Sequence, residues 1–133
     1  MDIRKEAIIN MKEIITSNAP AAIGPYSQAK EAAGFIFASG QIPLDPKTGT
    51  VVGKDITAQT ERVIQNIGEI LKAAGTGFES VVKTTCFLAD MKDFEVFNKV
   101  YAKYFTTKPA RSCVAVKTLP KEVIVEVEVI AVK

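Results

Sequence analysis

From Val123 to Val132 the chain alternates. Val123, Val125, Val127 and Val129 fall on one face of a strand, and Ile124, Glu126, Glu128 and Ile130 on the other. The valine face predicts contact with helices. The opposite face is half apolar and half acidic, a pattern that buries against another subunit, so it predicts a homo-oligomer. Two stripes of helical period precede this strand. Val63, Ile67, Ile70, Leu71 and Ala74 form one, capped by Asp55 or Thr57 and stopped by Gly75. Phe94, Phe97, Val100, Tyr101 and Tyr104 form the other, starting near Asp90 or Asp93, with Pro109 barring continuation.

The remaining apolar runs read as strands. MKEIIT begins at Met11, and QAKEAAG turns through Gly34 into FIFASGQIP, a hairpin. VVKTTCFLAD and RSCVAVKT are rich in β-branched residues, and LPKE turns the chain before the last strand. Residues 44–53, with Asp-Pro and Thr-Gly signals, form a turn or loop. The order is β-β-β-α-β-α-β-β: an α+β single domain, with both helices on one face of a mostly antiparallel or mixed sheet. Residues 1–10 read as an N-terminal extension, because KEAII at 5–9 is echoed by KEII at 12–15 and the domain proper starts near Met11, spanning 11–133.

At 133 residues and 47% hydrophobic, the chain fills one core. Lys and Arg number 17 against 15 Asp and Glu, a net charge of +2, so nucleic acid is not the expected partner. The chain contains no histidine, which rules out Ser-His-Asp and Cys-His catalysis and His-ligated metals. Any chemistry must rest on carboxylates, Arg, Lys, Tyr, Cys and backbone groups. Cys86 and Cys113 lack metal or C-x-x-C spacing and read as reduced thiols. There is no bilayer-length apolar run and no signal peptide, so the expectation is a cytoplasmic protein without a membrane partner.

Candidate chemistry follows from what is left. Arg111 opens an apolar strand just after Pro109, and its planar fork suits a carboxylate; the plainer reading pairs it with a protein acid on an edge strand. Glu126, flanked by Ile124 and Ile130, would be partly desolvated and able to activate water; the plainer reading is a solvated or interfacial acid, which also applies to Glu128. If LPKE made a simple hairpin, residue 111 would face roughly residue 130, too far from Glu126. A joint role then requires another strand order or a second subunit. Tyr26 sits on a loop pinned by Gly24 and Pro25, either functional or simply at the surface. Cys113 shares a strand face with Arg111, which would lower its thiol pKa; without a histidine base it reads as structural or substrate-contacting. GQIPLDPKTG lacks phosphate-loop spacing.

The segments NAPAAIGPYSQA (18–29), SGQIP (39–43), PKTG (46–49), VVKTT (81–85), PARSC (109–113) and LPKEVIVEVEVIAV (119–132) together resemble the RidA (YjgF) family, in family order from Met11 to Lys133. The resemblance implies a chorismate-mutase-like fold and a homotrimer whose sheets form a central barrel, with a cleft at each subunit interface. It implies hydrolysis of 2-imino acids, such as 2-iminobutanoate and 2-iminopropanoate, to 2-keto acids and ammonia with no cofactor and no metal. Carried over, Arg111 clamps the substrate carboxylate and Glu126 orients the attacking water. Tyr26, Asn98 and Cys113 line the cleft, and Ser39 and Gly40 supply backbone contacts. Chaperone-like or small-ligand binding and endoribonuclease activity are the alternatives within the same family. YFTTKPARSC is shorter between Phe105 and Pro109 than in many relatives, which alters the rim of the cleft, and residues 1–10 match no family segment.

Overall fold

The computed structural model describes residues 10–133, so the expected N-terminal extension lies, apart from Asn10, outside the described residues. Strands β1 (Lys12–Ile14), β2 (Ala29–Ala32) and β3 (Phe35–Ala38) are followed by helix α1 (Ile56–Ala73), β4 (Val81–Leu88), helix α2 (Phe94–Tyr104), β5 (Ala110–Ala115) and β6 (Val125–Val132). This is the order the sequence predicts. Asp55 caps α1, its carboxylate accepting the Ala58 N–H at 2.8 Å. Gly75, at φ +82°, ends the helix in the left-handed conformation glycine adopts most readily. Asp90 accepts the Lys92 N–H at 2.9 Å and starts a single 3₁₀ turn, Met91–Asp93, that runs into α2.

The six strands form one mixed sheet in the order β1-β2-β3-β6-β4-β5. Every pairing is antiparallel except β4 with β5, whose parallel arrangement requires the crossover that α2 provides. The last strand therefore does not return beside β5. It inserts between β3 and β4, and the LPKE turn that precedes it is a 3₁₀ turn, Pro120–Glu122, rather than a hairpin.

Both helices pack on one face. Val63, Ile64, Ile67, Ile70 and Leu71 of α1 and Phe97 and Val100 of α2 are buried with Ile36, Val125, Val127, Val129 and Ala131 of the sheet. Two buried amides tie loops to this frame. Asn66 on α1 donates to the carbonyls of Ile42 (3.2 Å) and Leu44 (3.0 Å). Gln28 donates to those of Thr16 (3.0 Å) and Pro20 (2.8 Å), and accepts the Thr16 N–H at 2.8 Å. No helix among the described residues is long and apolar enough to cross a membrane.

The other face carries the even-numbered residues of β6. Phe35 pairs with Val132, Phe37 with Ile130, Thr85 with Glu128, and Phe87 with both Glu126 and Val114. Phe35, Phe37, Val114 and Val132 are exposed there, 36–47% accessible. This is the half-apolar, half-acidic surface the alternation predicts.

Candidate active site

Arg111 lies on β5, an edge strand, level with Thr84 of β4 and, through it, with Val129 of β6. Thr84 and Val129 are both buried under the helices, so the arginine points to the helix side of the sheet. There α2 holds it. Nη1 donates to Oδ1 of Asn98 at 2.8 Å, while Cζ lies 4.8 Å from the centre of the Tyr101 ring and 5.4 Å from that of Phe94. Tyr101 is itself fixed by a 2.7 Å hydroxyl–hydroxyl bond with Thr84. Phe94, Asn98 and Tyr101 are spaced i, i+4, i+7, one helical face. Among the described residues no Asp or Glu pairs with the guanidinium, so the protein-acid reading of this edge arginine finds no partner in the chain. Its unused donors border a cavity of ≈ 270 Å³ lined by Asn98, Tyr101, Lys108 and Pro109.

Cys113 sits two residues further along the same face, half-buried and in register with Cys86. The expected lowering of its pKa does not hold. Burial raises the Cys113 pKa, and the opposing pull of Arg111 is the weaker effect. Cys86 is pushed up to about 12, first by burial. Both cysteines are free thiols. Cys113 packs against the core rather than lining the Arg111 cavity, and it has no means of becoming a ready nucleophile.

Glu126 is placed differently. It stands on β6, in the middle of the sheet, with its side chain on the face away from the helices. The chain just after β3 runs against it: Gln41 and Val127 exchange N–H···O bonds of 2.8 and 3.1 Å, which lays Gly40 on the carboxyl group. A Cβ at Gly40 would overlap Oε2 of Glu126 and stand 2.9 Å from its Cδ, so only glycine leaves the acid its seat. Ser39 donates its hydroxyl to the Ser27 carbonyl (2.6 Å) and its N–H to that of Gln28 (2.9 Å), so it builds the wall through bonds already made. Tyr26 closes the near side. Its hydroxyl accepts the Ile23 N–H at 3.3 Å, and its ring lines a ≈ 390 Å³ cavity with Ser39, Gly40, Glu126 and Lys121. Burial, and then repulsion from Glu128, raise the Glu126 pKa above the ordinary carboxylate value.

Within one chain the candidate residues thus form two groups. Arg111, Asn98 and Cys113 share the helix side of an edge strand; Glu126, Tyr26, Ser39 and Gly40 share the opposite side of the sheet centre. Arg111 is level with Val129, and Glu126 with Val114, so the two are two strands and three residues apart. That is about 10 Å across the sheet and about 10 Å along it, on opposite faces. No single chain brings them together.

In the aromatic stripe of α2, Phe97 and Val100 belong to the core. Phe94 and Tyr101 do more, as the platform on which the arginine rests. The polar Asn98 interrupting that stripe was the available signal. Nothing local marked Gly40 as the neighbour of Glu126, since that contact depends on β6 lying beside β3.

The family model described as Endoribonuclease L-PSP matches residues 16–133. A RutC family protein of Pyrococcus horikoshii is 55% identical over 125 residues, covering 92% of this chain and 99% of its own length. The 2-iminobutanoate/2-iminopropanoate deaminase of Salmonella typhimurium is 48% identical over 126 residues, covering 92% and 98%. Among solved structures, Escherichia coli TdcF with bound serine superposes with a TM-score of 0.87 at 41% identity, covering 92% of this chain and 98% of that one.

Proposed function

The chain belongs to the Endoribonuclease L-PSP (RidA) family, and from that premise we propose that it is a hydrolase of small 2-imino acids, releasing a 2-keto acid and ammonia. The observation that carries this reading is the state of Arg111. Its guanidinium is fixed in place by Asn98 and two aromatic rings, has no carboxylate partner among the described residues, and faces a cavity. Such a group is prepared for an external carboxylate, which it would grip with two parallel hydrogen bonds. The relative named 2-iminobutanoate/2-iminopropanoate deaminase supplies the substrate class.

The second requirement is a base. A protonated imine is already electrophilic at C2, so the protein must orient the substrate and handle protons. Water adds to C2 as the C=N π electrons move to nitrogen, and Glu126 takes the proton the water gives up. The same carboxyl group then delivers that proton to the amine. Re-formation of C2=O expels ammonia, and the hydroxyl proton leaves to the base. A carboxyl pKa raised above the ordinary carboxylate value suits a group that must both accept and return a proton.

Because the clamp and the base lie on opposite faces, the reading requires two subunits. The Arg111 side of one chain closes over the Glu126 side of a neighbour, and the exposed Phe35, Phe37, Val114 and Val132 face is covered in the process. A homotrimer, with its sheets forming a central barrel and one such cleft at each interface, is the assembly proposed.

A coupled assay tests the activity. A pyridoxal-phosphate threonine dehydratase generates 2-iminobutanoate, and 2-oxobutanoate release is followed with and without the protein. Acceleration over spontaneous hydrolysis is expected. Decay at the uncatalysed rate contradicts the reading, and single-stranded RNA cleaved by the same preparation would favour the ribonuclease activity that the family description names.

A further inference from the structure

The cavity beside Arg111 contains a second cation. Lys108 lines it with Arg111, Asn98 and Tyr101, and no carboxylate is among the lining residues. Its backbone is in the left-handed region, φ +56°, and the next residue is Pro109. An L side chain is disfavoured there, and a following proline narrows the choices further, so glycine would be the undemanding residue. The segment is held in this shape by the Lys108 N–H, which donates to the Phe105 carbonyl at 3.3 Å. Strain of this kind is maintained where the surroundings over-determine it, and it holds Lys108 at the wall of the arginine cavity.

Lys121, at φ 55° beside the Glu126 cavity, makes a useful contrast. Its ammonium already donates to the Gly49 carbonyl at 3.4 Å. Lys108 makes no side-chain hydrogen bond or ion pair with the described residues, and only Pro109 and Ala110 separate it from Arg111, three Cα–Cα steps away. Their Cα atoms are therefore at most about 11 Å apart, and a flexible four-carbon stem brings the ammonium within reach of a ligand gripped by the guanidinium.

We propose that Lys108 is a specificity-determining residue that turns the Arg111 clamp into a two-cation receptor, fitted to 2-imino acids that carry a second, distal carboxylate. The inference rests on the deaminase reading and adds the substrate class. With a monocarboxylate the Lys108 ammonium stays in water. With a short dicarboxylate it meets the distal charge, and none of the residues that its own chain contributes to the cavity wall is an acid that would oppose the added negative charge.

The test compares wild type, Lys108→Ala and Lys108→Arg on two imines made in situ by amino-acid oxidases, one from alanine and one from glutamate. Binding of 2-oxobutanoate and 2-oxoglutarate is titrated in parallel by calorimetry. For Lys108→Ala, the ratio of kcat/KM on the dicarboxylate imine to that on the monocarboxylate imine should fall roughly three- to tenfold. The 2-oxoglutarate affinity should fall alongside, and Lys108→Arg should retain most of both. An unchanged ratio with unchanged relative affinities overturns the proposal while leaving the deaminase reading intact. Lys108-dependent binding of 2-oxoglutarate without hydrolysis of either imine overturns the deaminase reading and leaves the two-cation receptor standing.

Discussion

Arg111 and Glu126 are held by opposite means. The arginine stands on an edge strand and is positioned by favourable contacts: an amide, two aromatic faces, and a hydroxyl that locks one of those rings. The glutamate stands in the middle of the sheet and is held by exclusion, pressed against Gly40, desolvated, and repelled by Glu128. A charge surrounded by partners stays charged and serves as an anchor. A charge denied partners is ready to accept a proton. The two environments therefore assign the two roles before any substrate is considered.

Glu126→Gln is the sharpest way to break this contrast, because it keeps the shape of the site and removes only the proton acceptor. It should lower kcat by roughly 10²–10⁴ with a smaller change in KM. The same variant has a signature in stability. An acid whose folded pKa is raised contributes stability that is fully present below its unfolded pKa and is lost as pH rises through the folded value. Glu126→Gln should therefore melt higher than wild type at neutral pH, with the advantage shrinking as pH falls to 4; thermal denaturation across that range checks it. An unchanged difference at every pH would mean that Glu126 is not held against its charge.

The anchor should fail differently. Losing one charge-assisted hydrogen bond corresponds to a roughly ten- to hundredfold loss in kcat/KM, and Arg111→Ala, which removes a two-pronged grip, should exceed that. Arg111→Lys should recover little, because a point charge cannot reproduce the fork. Asn98→Ala, which leaves the guanidinium stacked but unfastened, should cost only about five- to tenfold, mostly in KM. Steady-state kinetics on 2-iminobutanoate orders the three, and a Lys variant equal to wild type would reduce the clamp to simple charge attraction.

The elements were legible because each announces itself locally: valine alternation in β6, the five-residue stripe of α1 and its Gly75 stop, Asp90 and Asp55 at helix starts. The half-apolar face of Glu126, Glu128 and Ile130 was legible for the same reason, whereas Ile124, expected beside them, precedes β6 and packs against the core. The strand order was not, because LPKE reads as a hairpin, and nothing in the sequence says that β6 will cross to lie between β3 and β4. With that order hidden, so were the Gly40–Glu126 contact and the placement of clamp and base on opposite faces. The pKa of Cys113 was misjudged because strand periodicity reveals that Arg111 is near but not how much water burial removes.

The central claim is that a working site takes its arginine from one chain and its glutamate from another, and subunit mixing tests it most directly. Arg111→Ala and Glu126→Gln proteins, each inactive alone, are unfolded together in equal amounts, refolded, and assayed on 2-iminobutanoate. If each site draws on two chains, random assembly makes about one quarter of the sites wholly native, so activity should recover to about a quarter of the wild-type value. Mixed oligomers, confirmed by mass, that remain as inactive as the parent variants would contradict it.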